Sequence, residues 1–516
     1  MLLAAASAPA QTTAIPDTAF EQVLILWGYD SGPLDVTVHT ASIDTITSFA
    51  VLGPYDVTDL TGIQDFTALT ELNCSYNSIA ALDLSLNTAL TYLDCSNDQL
   101  TSLDLSQNAA LTYLDCANNQ ITGPDLTLPA SLTRLQCGFN PIASLDLSQT
   151  PALELLTCYN AQLTALDVTQ NPVLNYLRCD VNQIMAVDLT QNPLLNIVNV
   201  GFNQLEELDV TQNPVLEYLH CHANDIEVLD VSHNPALLGL TCSHNRLAAL
   251  DVDQNQVLTW FDCGHNLIDV LDVTQNNVLQ ELRCSFNLLD GLPLPPATNL
   301  YSLWCDANRI PDLDLGQIPN LVHLQCDSNE LAALDLSGTL NLQALFCSYN
   351  HIAQLDLSQT QLLHWLNCSN NELICLNVQN GGNTNCLSFH AENNPDLSCI
   401  QVDDTTWSDS QWTNIDTWTS FSNACATGCA IGLEEVASAT LSIYPVPASA
   451  AVTLDFGRVM VAPVVTLTDV RGHVVVRSVH SSTARIELDI DVPAGLYAME
   501  VRSEGVRVAS GKIIKE

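Results

Sequence analysis

The sequence predicts a β-rich solenoid of about fifteen 21-residue coils, capped at both ends and followed by a small β-sandwich. Three observations carry this. A cysteine returns every 21 residues, from Cys74 to Cys368, with one place filled by Val200. Around each, leucines alternate with polar residues, as in Leu90-x-x-Leu93-x-Cys95, so one side of a short strand is buried and the other open. After residue 440 the text changes to longer alternating stretches with turns between them.

The repeat comes first because everything else hangs on it. Fifteen copies follow without insertion or deletion, and three residues after the cysteine stands Asn in 13 of the 15, Asp98 and Ala161 being the exceptions. A single coil cannot bury its own apolar side, whereas stacked coils share a continuous core. At the ordinary strand spacing, fifteen coils span on the order of 70 Å. The recurrent Asn is placed to bridge backbone groups of adjacent coils. Each copy has a second half, such as "LTSLDLSQN", with the same spacing ten residues on, which predicts a second short extended segment on the opposite side of the coil. The L-x-x-L-x-L-x-x-N pattern over residues 69–380 resembles the leucine-rich repeats, which implies a β-rich leucine-rich-repeat solenoid.

Terminal coils need covering. Residues 11–68 read as the N-terminal cap, with a short helix in "IPDTAFEQVLI" begun by Asp17, and residues 381–430, off-period and rich in Trp, Asn and Asp, as the C-terminal cap. Residues 431–440 read as a linker. The opening "MLLAAASAPAQ" reads as the remnant of a signal peptide over residues 1–10, with the Ala8-Pro9-Ala10 pattern at its end.

Charge separates the parts. The chain has 58 acidic against 13 basic residues, and eight of those 13 lie between Arg458 and Lys515. The repeat body therefore holds the entire acidic excess, which disfavours nucleic acid and anionic lipid as partners. No run long and apolar enough for a transmembrane segment follows the leader.

Residues 441–516 resemble the C-terminal sorting domain of the bacterial type IX (Por) secretion system, found on exported proteins of Bacteroidota. The matching residues are Tyr444-Pro445-x-Pro447, Asp469-x-x-Gly472, Gly495-Leu496-Tyr497 and the closing Lys512-Ile513-Ile514-Lys515. Val446 stands between the prolines where the family usually has Asn. The resemblance implies handling by the type IX secretion machinery and a secreted or outer-membrane surface-attached product.

Four sets of residues are candidates for chemistry. The ladder cysteines lack the converging geometry of a zinc site and the base partner of a catalytic thiol, and Val200 takes one of their places, so they read as small buried hydrophobes. Off the ladder, the expected disulfides are Cys399 with Cys425 and Cys375 with Cys386, leaving Cys429 unpaired. A second column, Asp83 to Asp356 in steps of 21 with Pro293 interrupting, reads as a hydrogen-bonded, hydrated carboxylate ladder; calcium is the one cofactor its oxygens would suit, but no calcium-loop motif appears. The third set is the outward phase of the strand: Tyr92, Tyr113, Tyr176, Tyr218, Trp260 and Trp365 three residues before the cysteine, and Trp304 one before it. These are the candidate ligand-binding residues, for a protein or a glycan. His220, His222, His244 and His265 fall on nearby coils but read as a coincidence of position rather than a metal site. No H-E-x-x-H, G-x-S-x-G or phosphate-loop motif is present. The reading is therefore a non-enzymatic surface protein for adhesion or recognition, with a ligand-free acidic spacer as the alternative.

Overall fold

The structure is a computed structural model describing residues 11–51, 55–123, 126–295, 299–426, 442–444, 451–460, 463–468, 474–490, 492–503 and 506–515. The chain divides into two compact units, Met1–Thr427 and Gly428–Glu516. The expected leader and the linker lie outside the described residues.

In the first unit, three-residue strands recur every 21 residues, with a step of 23 at each end, and pair in parallel, each residue opposite its counterpart one coil on. Seventeen of them, from Ser48–Ala50 through Tyr92–Asp94 to Ser388–His390, make one open parallel sheet. The middle residue of each strand and the residue following it point inward. Leu93 and Cys95 are both fully buried, as are the other ladder cysteines and Val200 at their position. The apolar columns of successive coils merge into a single core, which is how such short strands become stable.

Asparagines set the spacing between coils. The Nδ2 of Asn266 donates to the carbonyls of Cys242, Cys263 and Gly264 at 3.0, 3.0 and 3.3 Å, and its Oδ1 accepts from the Leu247 N–H at 3.0 Å. The same four bonds recur along the column, for instance at Asn245 and Asn308. A second asparagine column, which the sequence reading passed over, runs along the opposite side of the coil. Asn192 is fully buried and donates to the carbonyls of Val168 and Asn171, 24 and 21 residues back. Thr150, Thr339 and Thr360 take this place in other coils and donate instead to the carbonyl three residues back.

One expectation changes on the opposite side of the coil. The second extended segment pairs into a sheet only near the C-terminal end, where Gln354–Asp356, Cys375–Asn377, Cys399–Gln401 and Ser420–Ser422 form four parallel strands. Elsewhere it makes at most an isolated bridge, as at Leu103 and Leu126. There the asparagine column takes up carbonyls and Asp104 captures the N–H two residues on, yet Asp356 and Asn380 make the same kinds of bond among the paired copies.

At the N-terminal end, helix α1 (Thr18–Leu26) lays Phe20 and Leu24 on the first coils. Asp17 caps it, one oxygen accepting from Ala19 and Phe20 and the other from Thr58 and Asp59, so the carboxylate also ties the helix to the loop before the repeats. At the C-terminal end, Trp412 stacks on Phe389 with ring centroids 4.1 Å apart and closes the core. Cys399 and Cys425 form a disulfide. The expected Cys375–Cys386 bond is not made: Cys386 is a buried free thiol, and Cys375 is disulfide-bonded to another partner. In the parallel register, coils advance by strand spacing, and Cys386 turns inward with Phe389 to pack rather than pair.

The second unit holds two antiparallel sheets, of three and four strands, around one core that includes Val452, Leu454, Val465, Ile486, Met499 and Ile513. The final hairpin brings distant sorting residues into register, Gly495 opposite Lys515 and Ala498 opposite Lys512. Tyr497 is buried, its hydroxyl donating to the Pro493 carbonyl at 2.7 Å, and Tyr444 pairs with Thr453. Pro445, Pro447, Asp469 and Gly472 lie outside the described residues.

Asp98 is the test of the asparagine column. It sits where thirteen copies have Asn, and while Oδ1 accepts from the Ile79 N–H at 3.1 Å, Oδ2 is buried without a partner in the place of a donating amide. Burial pushes its carboxyl up to about 7, and burial likewise raises Asp115 to about 6. A raised folded-state value means stability is fully present below the unfolded value near 3.8 and is lost as pH climbs through the folded one. The Asp turn column has the opposite sign: Asp83, Asp167 and Asp209 are held below the ordinary value and lose their contribution only under stronger acid. Thermal melting should therefore peak at mildly acidic pH. Asp98→Asn should stabilise the protein at pH 8 by about 1–3 kcal/mol, and by much less at pH 4; an equal gain at both would show that the missing donor is not the cause.

Candidate functional site

The face of the main sheet opposite Leu93 and Cys95 is open, and three columns line it. The first and third residues of each strand supply two, the second residue after the cysteine supplies the third, and the first residue after it (Tyr159, Asp180, His222, Asp306) reaches the same face between them. The second residue after the cysteine has a positive φ in coil after coil, for example Tyr76 (59°), His244 (55°), Phe286 (55°) and Tyr349 (53°). The left-handed turn keeps its N–H on the ladder, as His265 N–H to the Ser285 carbonyl at 2.8 Å shows, and it throws the side chain outward.

All seven candidate ligand-binding residues lie on this face, but they are not one cluster. Tyr92 and Tyr113 stack with centroids 4.4 Å apart and are half-buried by each other. Burial pushes the Tyr113 phenol up to about 12, with Asp115 adding to the effect, and its hydroxyl accepts from Gln136 at 2.7 Å. Tyr176 is half-buried further along. Tyr218 and Trp260 flank Gly239 two coils apart, and a Cβ on Gly239 would lie 2.8 Å from the Tyr218 ring, so only glycine lets that ring lie flat over the backbone. Trp260 and Trp365 are the more exposed, at 38% and 39%. Trp304 carries the Arg283 guanidinium 4.5 Å above its ring, and Glu281 holds the same arginine from the other side at 2.5 Å. Arg178 repeats this arrangement with Tyr159 and Asp180.

More exposed aromatics stand in the third column. Tyr76, Phe139, Phe202, Phe286 and Tyr349 all occupy the positive-φ column, at 46–69% exposure. Strand alternation does not extend past the strand end, so sequence reasoning missed them; the signal available was the recurrence of Asn, His and aromatics two residues after the cysteine. Here three rings on successive coils stack in parallel: His244 on His265 at 4.0 Å, and His265 on Phe286 at 4.2 Å. His220 hydrogen-bonds Thr241 at 2.8 Å, and His222 meets Phe202 edge-on. Burial holds His220, His222 and His265 below the ordinary imidazole value, with neighbouring histidines adding to the effect. No cluster of three or more metal-type ligands forms among the described residues.

Among the depressions of the first unit, two bear on the candidate residues. One is a shallow recess of about 220 Å³ on the open face, lined by His265, Phe286, Arg283, Trp304, Asp306 and Gln325 among others. The second, about 790 Å³, lies along the carboxylate turns and includes Asp188, Asp209 and Asp230. Each of these three accepts from the backbone N–H and is drawn low by the Ser or Thr hydroxyl two residues on, so the column is a series of local turn caps.

The ladder thiols form no site. Burial pushes Cys137, Cys179 and Cys221 up to about 12 and raises the others as well, so none supplies a thiolate.

A family described as a secretion system C-terminal sorting domain matches residues 442–516. No curated protein matches the chain in sequence. Among solved structures, the functional domain of InlJ from Listeria monocytogenes, which includes a cysteine ladder, is 26% identical with a TM-score of 0.57, over 98% of this chain and 99% of that one. A leucine-rich-repeat protein of Leptospira interrogans is 24% identical with a TM-score of 0.53, over 62% and 87%. The plant peptide hormone receptor RGFR1, solved with RGF2, is 18% identical with a TM-score of 0.55, over 70% and 69%, and shares the fold alone.

The thiol column gives a direct check. A water-soluble thiol reagent should leave the fourteen ladder cysteines of the native protein unmodified over hours, and all of them should react once the chain is unfolded in denaturant; rapid native reaction at most of them would show that the slot is open. No helix among the described residues is long and apolar enough to cross a membrane. The chain joins a leucine-rich-repeat solenoid to a type IX secretion sorting domain, and that domain marks it for secretion and attachment at the cell surface.

Proposed function

We propose that the exported solenoid is a recognition or adhesion module, without catalytic activity, whose open face binds a protein or glycan outside the cell. The observation that carries this reading is the set of outward aromatic and histidine rings between Tyr159 and Trp304, held in place by stacking and by two aromatic-seated arginines. Rings fixed in this way lose little freedom on binding, which is why aromatics and arginine dominate contact energetics. The deep negative charge of the body disfavours anionic partners, and the type IX machinery is the partner that the C-terminal unit implies. The alternative, an acidic spacer with no ligand, draws on the same charge and on a carboxylate column already satisfied within its own turns.

A protein and glycan array probed with the purified chain distinguishes the two. Binding should be seen, and alanine at Tyr176, Tyr218 or Trp260 should weaken it tenfold or more at one or more positions. Asp188→Asn, on the turn side, should leave it unchanged. Absence of any binding, or binding indifferent to the face, would favour the spacer.

A further inference from the structure

Within the open face, and resting on the binding reading above, we propose that the recess beside Phe286 and Trp304 is a subsite for one sugar residue of a neutral glycan. The His244–His265–Phe286 stack ends at Phe286, because the next coil has Ala307 in that column. A methyl group cannot cover a phenyl ring, and Phe286 is 50% exposed. Trp304 lines the same recess. Its orientation is fixed by the Arg283 guanidinium on its face and by its indole N–H donating to Ser302 at 3.1 Å.

Around these two flat surfaces stand groups that read hydroxyls. Asp306 takes a short hydrogen bond from the Ser285 hydroxyl, and a carboxylate retains acceptor capacity beyond one bond. Gln325 carries both a donor and an acceptor, and Arg283, though held by Glu281, has further N–H groups. A pyranose presents the matching chemistry: one apolar C–H face for an aromatic ring, and a rim of hydroxyls that donate and accept.

Size and charge narrow the class. At about 220 Å³ the recess lies below the roughly 300–1,000 Å³ that drug-sized ligands occupy, so it takes one ring-sized group of a longer chain. Asp262 and Asp306 outnumber Arg283 in its lining, within a body carrying the chain's acidic excess; sialylated, uronic or sulfated sugars are thereby disfavoured. A folded protein partner would need a continuous apolar contact core, whereas the positive-φ column continues past Phe286 as Ala307 and Ser328.

The repeat supplies substitutions that its own fold already accepts. Asn occupies the Phe286 position in four other coils, Asn97, Asn118, Asn160 and Asn370, all with positive φ, and Gln occupies the Trp304 position at Gln136 and Gln325. Phe286→Asn and Trp304→Gln therefore remove the rings without straining the coil. The full chain and both variants are applied to an array of neutral oligosaccharides (β-glucan, mannan, xylan, galactan and chitin fragments), to sialylated and sulfated oligosaccharides, and to a displayed peptide library. Binding to a neutral oligosaccharide that falls tenfold or more in both variants, with circular dichroism unchanged, is the expected result. Binding confined to acidic sugars, or neutral-sugar binding indifferent to both substitutions, overturns the assignment. Binding only to peptides, and lost in the same variants, overturns the sugar subsite while leaving the binding face intact; no binding in any arm overturns both.

Discussion

The structure depends on an amide that reaches across coils. One asparagine side chain holds three carbonyls and one N–H belonging to two successive turns of the chain. Those groups are buried, and leaving any of them unpaired would cost about 1–3 kcal/mol. Only a chain returning to the same place every 21 residues keeps that arrangement available in coil after coil, so the hydrogen bond, and not leucine packing alone, enforces the period. The second column, typified by Asn192, does the same on the far side at the expense of a buried oxygen that accepts from no protein donor. Two carbonyls satisfied against one acceptor left over still favours the amide.

Once register is fixed, the other residue choices follow. The position after each strand points into a narrow interior with room for a thiol or an isopropyl group, which is why Val200 stands among cysteines. The outward positions are released from packing demands and vary freely, carrying Tyr, Trp, Arg, His, Gly or Asn at equivalent places. That variation on an invariant frame is what a recognition surface requires.

Much of this was legible in the sequence, because a repeat prints the same constraint fifteen times. The buried cysteine column, the bridging asparagine and the Asp17 cap followed from spacing and residue chemistry, and the expected Cys399–Cys425 bond is made. The Cys375–Cys386 pairing did not, since half a coil separates the two: Cys375 begins a strand of the second sheet, whereas Cys386 leads into the main-sheet strand Ser388–His390. The second extended segment was expected in every copy, but among the described residues it pairs into a sheet where Gln354 and later residues lie. The exposed aromatics at Phe139, Phe202 and Phe286 were hidden by a backbone feature: a positive φ in a non-glycine residue has no signature in hydropathy, and it reverses the direction that alternation implies.

The most direct measurement of the central claim is native-state hydrogen exchange on an Asn266→Ala variant. That substitution deprives the Leu247 N–H of its acceptor and the Cys242 and Cys263 carbonyls of a donor. If the amide bridges hold the coils in register, the Leu247 amide and the strand amides on both sides should exchange at least tenfold faster, with distant coils unchanged. Exchange rates around residues 240–268 that match the parent protein would show that leucine packing alone sets the stack.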